Sequence, residues 1–206
     1  MKLNAKKSLV FAGLVLAAGT LTPHAAFAQD MGFYIGAGVG QSKGKDACSD
    51  LGGVGFSGSC DDTDTGGKLF LGYQFNKNFA VEGGYVDLGK FKASGTISGV
   101  PVSADAKAKT WQLVAVGTLP LANNFSVFGK AGVHRWDLDV RASALGSTIT
   151  ASDNGTDLTL GIGAGYEFTK NLGVRLEWER FRNVGEDATT GKSNVDLISV
   201  GLRYRF

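Results

Sequence analysis

Residues 157–169 have the sequence DLTLGIGAGYEFT, and their alternation decides the fold. Every second residue from Leu158 to Phe168 is apolar, whereas the residues between them are Thr, Gly or Glu. Successive side chains of a β-strand point to opposite faces, so the pattern predicts a strand with one apolar face and one small or polar face. The glycines inside the stretch disfavour a helix.

The same alternation recurs along the chain and predicts eight strands. They span 32–43, 66–75, 79–92, 108–121, 125–141, 155–169, 172–184 and 194–206. Three connections are short and contain Asn, which tolerates the left-handed backbone of tight turns; they are 76–78, 122–124 and 170–171. We expect the other four connections to be polar loops, at 44–65, 93–107, 142–154 and 185–193.

Composition narrows the class of protein. The chain has 206 residues, of which 31 are Gly, 43% are hydrophobic and 19% are charged. This apolar content is too high for a disordered chain. Two cysteines are too few for a disulfide-dense miniprotein or a four-cysteine zinc site.

The first 28 residues have the organisation of a secretory signal peptide. Three lysines precede a short apolar stretch at 9–18, and Ala26-Phe27-Ala28 forms a cleavage site, so we expect cleavage after Ala28. The apolar stretch is too short to span a bilayer as a helix. Removing 1–28 leaves 18 basic and 19 acidic residues, a net charge of −1, and disfavours nucleic-acid binding.

Two arrangements of eight such strands compete. A soluble barrel would bury its apolar faces, whereas a membrane barrel turns them toward lipid. The signal peptide, the alternation of short and long connections and the aromatic residues at the strand ends favour the membrane barrel, because such barrels carry two aromatic girdles. The aromatic residues at the short-turn end are Phe33, Tyr73, Phe75, Phe79, Phe125, Tyr166, Phe168, Tyr204 and Phe206. Those toward the other end are Tyr85, Trp111 and Trp178.

Four stretches carry a resemblance to a known family: GYQFN at 72–76, VEGGY at 81–85, VRLEW at 174–178 and SVGLRYRF at 199–206. Residues 29–206 resemble the transmembrane domain of the outer-membrane protein A family and other small Gram-negative outer-membrane barrels. The resemblance implies an all-β, eight-stranded antiparallel up-and-down barrel in the outer membrane. The sequence ends at Phe206, so we do not carry over the family's periplasmic peptidoglycan-binding domain.

The C-terminal alternation also resembles the sorting signal that the barrel assembly machinery recognises in such families, with Leu202, Tyr204 and Phe206 as its apolar residues. From the same resemblance we expect contacts with outer-membrane lipids and lipopolysaccharide, and a monomer.

Alternation also places eight charged side chains in the lumen: Lys68, Glu82, Lys130, Arg175, Glu177, Glu179, Arg203 and Arg205. Eight strands leave an interior just wide enough for side chains, and isolated buried charges are too costly, so these groups must pair. We expect a structural ion-pair plug. The alternative, which the resemblance implies for Glu82 and Arg175, is a gate for small ions. Val116 and Gly165 stand where further gate charges would be sought.

Three other features could carry chemistry. Cys48 and Cys60 lie in the first long connection, and the oxidising periplasm predicts that they form a disulfide. Asp61-Asp62-Thr63-Asp64 lacks the spacing of a calcium loop, so we expect a solvated acidic loop and no metal site or other cofactor. The mature chain retains one histidine, His134, with no nucleophile at an identifiable spacing, so we expect a lumenal structural residue rather than a catalytic one.

Three functions remain. The leading hypothesis is a non-enzymatic barrel that supports envelope integrity and presents loops for adhesion to a host or surface ligand. The others are a narrow passive channel and an enzyme that modifies lipid A.

Overall fold

The computed structural model describes residues 31–45, 48, 55–186 and 192–206. Nine strands occupy most of these residues: β1 Gly32–Gly44, β2 Phe56–Asp61, β3 Thr63–Gln74, β4 Phe79–Ile97, β5 Val100–Pro120, β6 Phe125–Ala144, β7 Ser147–Glu167, β8 Leu172–Val184 and β9 Ser193–Arg205. The predicted signal segment and its cleavage site lie outside the described residues. Within the described ranges, no helix is long and apolar enough to cross a membrane.

Eight of these strands close into a barrel. The hydrogen-bonded order is β4-β3-β1-β9-β8-β7-β6-β5, every pair is antiparallel, and pairing of β4 with β5 closes the circle. Each consecutive barrel strand therefore pairs with its neighbour in the chain, and the first pairs with the last. The predicted eight-stranded up-and-down barrel is confirmed.

The two faces of the strands differ as the alternation predicts. On β7, Leu158, Leu160 and Ile162 are exposed on the outside, whereas Thr159 and Gly161 point into the barrel and are buried. An exposed apolar exterior around an interior that contains buried polar and charged side chains differs from a soluble barrel and fits a lipid environment.

Aromatic pairs mark both ends of the apolar band. On the short-turn side, Phe125 and Tyr166 have ring centroids 4.7 Å apart, and Tyr204 and Phe206 are 5.3 Å apart. On the other side Tyr85 and Trp111 are 5.0 Å apart. These two levels correspond to the predicted girdles and place the membrane between them.

The turn at 122–124 explains why Asn occurs in the short connections. Asn123 and Asn124 have φ angles of 60° and 65°, which Asn tolerates better than most residues. The amide of Leu121 donates to the carbonyl of Phe125 at 2.7 Å across the hairpin. This turn confirms the sequence prediction.

The long connections differ from the prediction. Residues 93–107 and 142–154 are not loops: β4 and β5 stay paired as far as Ile97 and Val100, and β6 and β7 as far as Ala144 and Ser147. Two-residue turns close these hairpins at 98–99 and 145–146, where both residues have positive φ. Backbone hydrogen bonding can sustain such hairpins in water without a lipid-facing stripe, so their polar composition was misleading.

The connection at 44–65 also contains strand structure, because β2 pairs with the distal half of β4 from Phe56–Ile97 to Asp61–Lys92. Consequently β2, β4, β5, β6 and β7 continue beyond the Trp111 level as one five-stranded sheet. We call this continuation the distal sheet, and it consists of 56–61, 90–109 and 136–157.

Candidate functional site

Six of the predicted lumenal charges lie in one cluster, which we call the charged layer. It contains the cations Lys68, Lys130 and Arg175 and the acids Glu82, Glu177 and Glu179. Each of the six is at most 5% exposed. They come from β3, β4, β6 and β8, where alternation directs them inward.

Lys130 lies at the centre of the acids. Its Nζ is 2.8 Å from Glu82 Oε2, 2.9 Å from Glu177 Oε2 and 3.5 Å from Glu179 Oε1. Lys68 Nζ contacts Glu177 and lies 2.5 Å from Glu179 Oε2. The layer holds three positive and three negative charges, which satisfies the requirement that buried charges be compensated.

Arg175 is fixed by both charge and aromatic contacts. Its Nη1 donates to Glu82 Oε1 at 2.6 Å, and its Nε lies 2.7 Å from Glu177 Oε1. The guanidinium carbon is 4.8 Å from the ring centroid of Phe70 and 4.4 Å from that of Phe128. Two aromatic faces and two carboxylates thus hold one cation across the lumen.

Neutral side chains complete the charged layer by hydrogen bonding to its carboxylates. These residues were not among those predicted from the sequence. Tyr34 donates its hydroxyl to Glu82 Oε1 at 2.8 Å, and Gln112 Nε2 donates to Glu179 Oε1 at 3.3 Å. Both residues, like Phe70 and Phe128, occupy inward positions of their strands. The signal that could have found them was therefore the same alternation, extended from charged to polar and aromatic residues.

The other two predicted charges lie outside the charged layer, at the short-turn mouth. Arg203 pairs with Glu167 and lies 5.4 Å from the ring of Tyr34. Arg205 forms no ion pair with any residue that the structure describes. The structure therefore joins six of the eight predicted residues and separates Arg203 and Arg205 from them.

Beyond the charged layer, toward the distal sheet, the lumen is apolar rather than polar. Its buried residues are Val86, Leu88, Phe91, Ala108, Trp136, Leu138, Phe181, Val184, Val195 and Leu197. We call them the apolar layer. The sequence analysis did not find these residues, because it followed the inward direction of alternate side chains mainly for the charged ones. Two consecutive layers of different chemistry therefore fill the lumen.

His134 lies within this part of the lumen and is 1% exposed. One ring nitrogen is 3.1 Å from Thr110 Oγ1, and the other is 3.1 Å from the carbonyl oxygen of Arg182. Its ring packs edge-on against Phe181, with centroids 5.3 Å apart. Both nitrogens have structural partners, which supports the interpretation of His134 as a packing residue.

The predicted disulfide is confirmed. Cys48 and Cys60 are bonded with their Cα atoms 5.9 Å apart, and Cys60 belongs to β2. The bridge therefore ties the first long connection to the edge of the distal sheet. In the nearby acidic stretch, Asp62 lies 3.6 Å from Lys43, whereas Asp46 and Asp50 fall outside the described residues.

Asp64 fixes an irregularity where the barrel passes into the distal sheet. A register shift occurs between Asp87 and Lys90, with Gly89 at φ 81°. Asp64 Oδ2 accepts the Lys90 amide at 2.6 Å. This bond, with a second from the Thr65 backbone, lowers the pKa of the Asp64 carboxyl below its ordinary value. The carboxylate form therefore stabilises the bulge.

The residues of the C-terminal assembly signal face outward. Leu202, Tyr204 and Phe206 are exposed on the apolar exterior. That position makes their side chains accessible to a partner protein during insertion, and their recognition by the assembly machinery stays a prediction.

The family model for the OmpA-like transmembrane domain matches residues 28–206. The chain belongs to this family. Outer membrane protein A of Yersinia pseudotuberculosis is 31% identical over 203 residues, covering 97% of this chain and 56% of the relative. The protein of that name from Serratia marcescens is 29% identical, with the same coverage. The chain thus spans about half the length of these curated relatives.

Solved structures share the fold. Ail, the attachment invasion locus protein of Yersinia pestis, crystallised in complex with the heparin analogue sucrose octasulfate, has a TM-score of 0.54 at 20% identity, over 86% of this chain and 99% of that chain. The N-terminal β-barrel domain of OprF from Pseudomonas aeruginosa has a TM-score of 0.52 at 11% identity, over 85% and 99%. Membership of this family places the chain in the Gram-negative outer membrane, with its short turns periplasmic and its distal sheet outside the cell.

Proposed function

We propose that this protein is a non-enzymatic, closed barrel that supports the outer membrane and presents its distal sheet as a recognition surface for adhesion or host interaction. The observation that carries the proposal is the continuation of five strands beyond the outer aromatic girdle. A hydrogen-bonded sheet holds its side chains in fixed positions, and recognition concentrates in segments positioned by a rigid scaffold.

The tip of the distal sheet supports a recognition role. Leu145 and Ile149 are 80% and 72% exposed in the hairpin that joins β6 and β7. Beside them lies an apolar hollow of about 310 Å³, lined by residues that include Phe56, Ile97 and Val102. Exposed apolar surface outside the membrane is typical of an interaction site. Ail, which shares the fold, was crystallised with a saccharide analogue.

A narrow channel is the second candidate, and one contact favours it. Glu82 and Arg175, which the family resemblance implies as a gate, meet at 2.6 Å. Opening this pair would still leave Lys130 in the charged layer and the whole apolar layer above it. The closed barrel is therefore the better account of the lumen. A monomer in contact with outer-membrane lipids, inserted by the barrel assembly machinery, stays the prediction for its partners.

The recognition role can be tested by substitution at the tip. The L145S/I149S variant should reduce adherence of barrel-expressing bacteria to host cells, because it removes the two exposed apolar side chains. The S147A/T150A variant alters the same hairpin without removing them and should adhere normally. Both variants should keep the gel-migration difference between boiled and unboiled samples that marks a folded barrel. Equal adherence of the two variants, or none by the parent protein, would contradict the recognition role.

A further inference from the structure

One face of the distal sheet continues the wall of the lumen. On it, Ala104 lies opposite Ala142, and Ala142 lies opposite Ile149, so the three side chains point the same way. Ala106 and Val140, which share this direction, pack against the apolar layer. We call this surface the inner face. It consists of the alternate residues, first and last included, of 56–60, 91–97, 100–106, 140–144 and 147–151.

The two faces of the distal sheet differ in chemistry. The inner face carries no charged side chain at any of its positions, and Ser147 has the only hydroxyl group among them. The opposite face carries the charged residues Lys92, Asp105 and Arg141, which lie next to one another in the register. Such a contrast is typical of a sheet that buries one face and leaves the other in water.

The inner face is nevertheless accessible toward the tip of the sheet. Ala104, Ala142 and Ala151 are exposed there, and Ile149 is 72% exposed. The apolar hollow of about 310 Å³ is lined mainly by residues of this face. Apolar sheet faces are normally buried by a second layer that packs about 10 Å away. The inner face is therefore a surface on which a second apolar layer can pack.

The inner face is as large as one side of a small protein interface. Five strands spaced about 4.8 Å apart span roughly 24 Å, and six residues of each strand span roughly 20 Å. Each copy therefore offers a footprint of about 480 Å², and a packed pair buries roughly 1,000 Å². Specific interfaces bury at least about 1,000 Å² in total, so two inner faces reach the lower limit for specific association.

A second copy of this chain is the occupant that matches this face. A surface without charges offers no ionic group to an anionic saccharide, so its partner must present an apolar surface of similar extent. Homotypic contacts are most often two-fold, with the same patch on both copies. The larger residues Phe56 and Ile97 lie at the tip, and Ala104 and Ala142 lie below them. In an antiparallel pair, the tip of each copy packs over the alanines of the other.

The direction of the inner face decides where the second copy lies. Because this face continues the lumen, it looks across the barrel axis. Two barrels side by side in one membrane would hold their inner faces at least a barrel width apart. In two apposed membranes the sheets point toward each other and can overlap face to face. From Trp111 to Val100, β5 extends roughly 36 Å along the strand, which is long enough for this overlap.

We propose that the inner face binds the inner face of a second copy in an apposed outer membrane, so that the protein mediates homotypic contact between cells. The inference rests on the proposed recognition role and names the partner for it. One contact at the lower limit of interface size is weak, so adhesion depends on many copies that act together between two membranes. This arrangement is compatible with a monomer within each membrane.

The test uses two populations of phosphatidylcholine vesicles that carry the full barrel and different dyes, at matched amounts of outward-facing protein. Two-colour fluorescence cross-correlation measures their clustering. Vesicles with the parent protein should cluster, and the A104E/A142E variant should reduce clustering at least about ten-fold, because it places unpaired charges in an apolar contact. The S103E/S143E variant adds the same charge to the same paired strands on the opposite face, and it should cluster as the parent does. Both variants should keep the gel-migration difference of a folded barrel.

Absence of clustering by the parent protein, or equal clustering by A104E/A142E, would overturn the proposal. Equal loss in the two glutamate variants would also overturn it, because that result indicates general repulsion between charged vesicles. Clustering of barrel vesicles with protein-free vesicles would identify lipid, not a second copy, as the occupant. Adherence to host cells without vesicle clustering would refute the homotypic contact and leave the recognition role intact. Vesicle clustering without adherence to host cells would refute host interaction and support the homotypic contact.

Discussion

Replacing Lys130 by Met should destabilise the barrel strongly, because it removes one of three cations from a buried layer with three acids. Met approximates the length of the side chain, so the change leaves a net charge of −1 rather than a large void. Removing one partner from a buried ion pair costs about 3–5 kcal/mol. Glu177 keeps contacts with Lys68 and Arg175, so we expect K130M to lie near the lower end, about 3 kcal/mol.

The double variant K130M/E82Q tests whether the uncompensated buried charge is what destabilises K130M. It restores a balance of two cations and two acids, and the amide oxygen of the introduced glutamine can still accept the Tyr34 hydroxyl and the Arg175 guanidinium. The E82Q variant alone should lower the free energy of unfolding by about as much as K130M does, because it leaves the charged layer with a net charge of +1. We expect the double variant to cost no more than about 3 kcal/mol, whereas the single variants sum to about 6 kcal/mol, so the two substitutions should be coupled by about 3 kcal/mol or more.

The assay is reversible urea unfolding in lipid vesicles, followed by tryptophan fluorescence and by the boiled-against-unboiled gel shift. The K43M variant is the control, because its exposed ion pair with Asp62 should contribute less than about 1 kcal/mol. The reasoning is refuted if K130M costs no more than K43M, or if the double variant costs the sum of the single variants.

Packing in the lumen, the disulfide and the Asp64 bulge can each be tested by one perturbation. G163A should lower the free energy of unfolding by about 1–3 kcal/mol, because its Cβ would lie 2.5 Å from the Leu176 carbonyl oxygen and collide with Phe128. G117A is the control, because the space around Gly117 is open. Equal free energies of unfolding for the two variants would contradict the packing argument. C48S/C60S should leave the barrel folded and lower its free energy of unfolding by no more than about 3 kcal/mol. The same variant should make the first long connection more susceptible to proteolysis. An unchanged rate of digestion would count against the bridge. Because the pKa of Asp64 is lowered in the folded protein, its contribution is present above its ordinary pKa of 3.8 and is lost as pH falls through the lower folded value. Hydrogen exchange of the Lys90 amide, corrected for intrinsic rate, should therefore stay slow at about pH 5 and accelerate only once the pH falls below the ordinary value of 3.8. Acceleration already at about pH 5 would be inconsistent with this bond.

Alternation predicted the barrel because two-residue periodicity is enforced wherever one face meets lipid. It identified the strand cores, the girdles and the inward direction of Lys68, Glu82 and Arg175. Alternation did not identify the strand residues beyond the outer girdle, at 93–107 and 142–154. The outer faces of these strands meet water there, so no lipid-facing stripe of apolar residues is needed. The turns at Ser98-Gly99 and Leu145-Gly146 were the available signal, since a glycine in a two-residue connection between alternating segments favours a hairpin.

The sequence predicted which charged side chains point into the lumen, but not which of them contact each other. Parity shows that Lys130 and Arg203 point inward, but it does not give their heights, which depend on strand stagger. The stagger brings Lys130 among three acids and leaves Arg203 with Glu167 at the periplasmic mouth. The apolar layer was missed because Trp136 and Phe181 are apolar, as lipid-facing residues are. Only their alternate position along the strand shows that they point into the lumen.

The most direct test of a closed barrel is single-channel recording of the purified protein in planar bilayers. We expect no large, stable conductance, because the charged layer and the apolar layer both fill the lumen. A large, stable and nonselective conductance would contradict it.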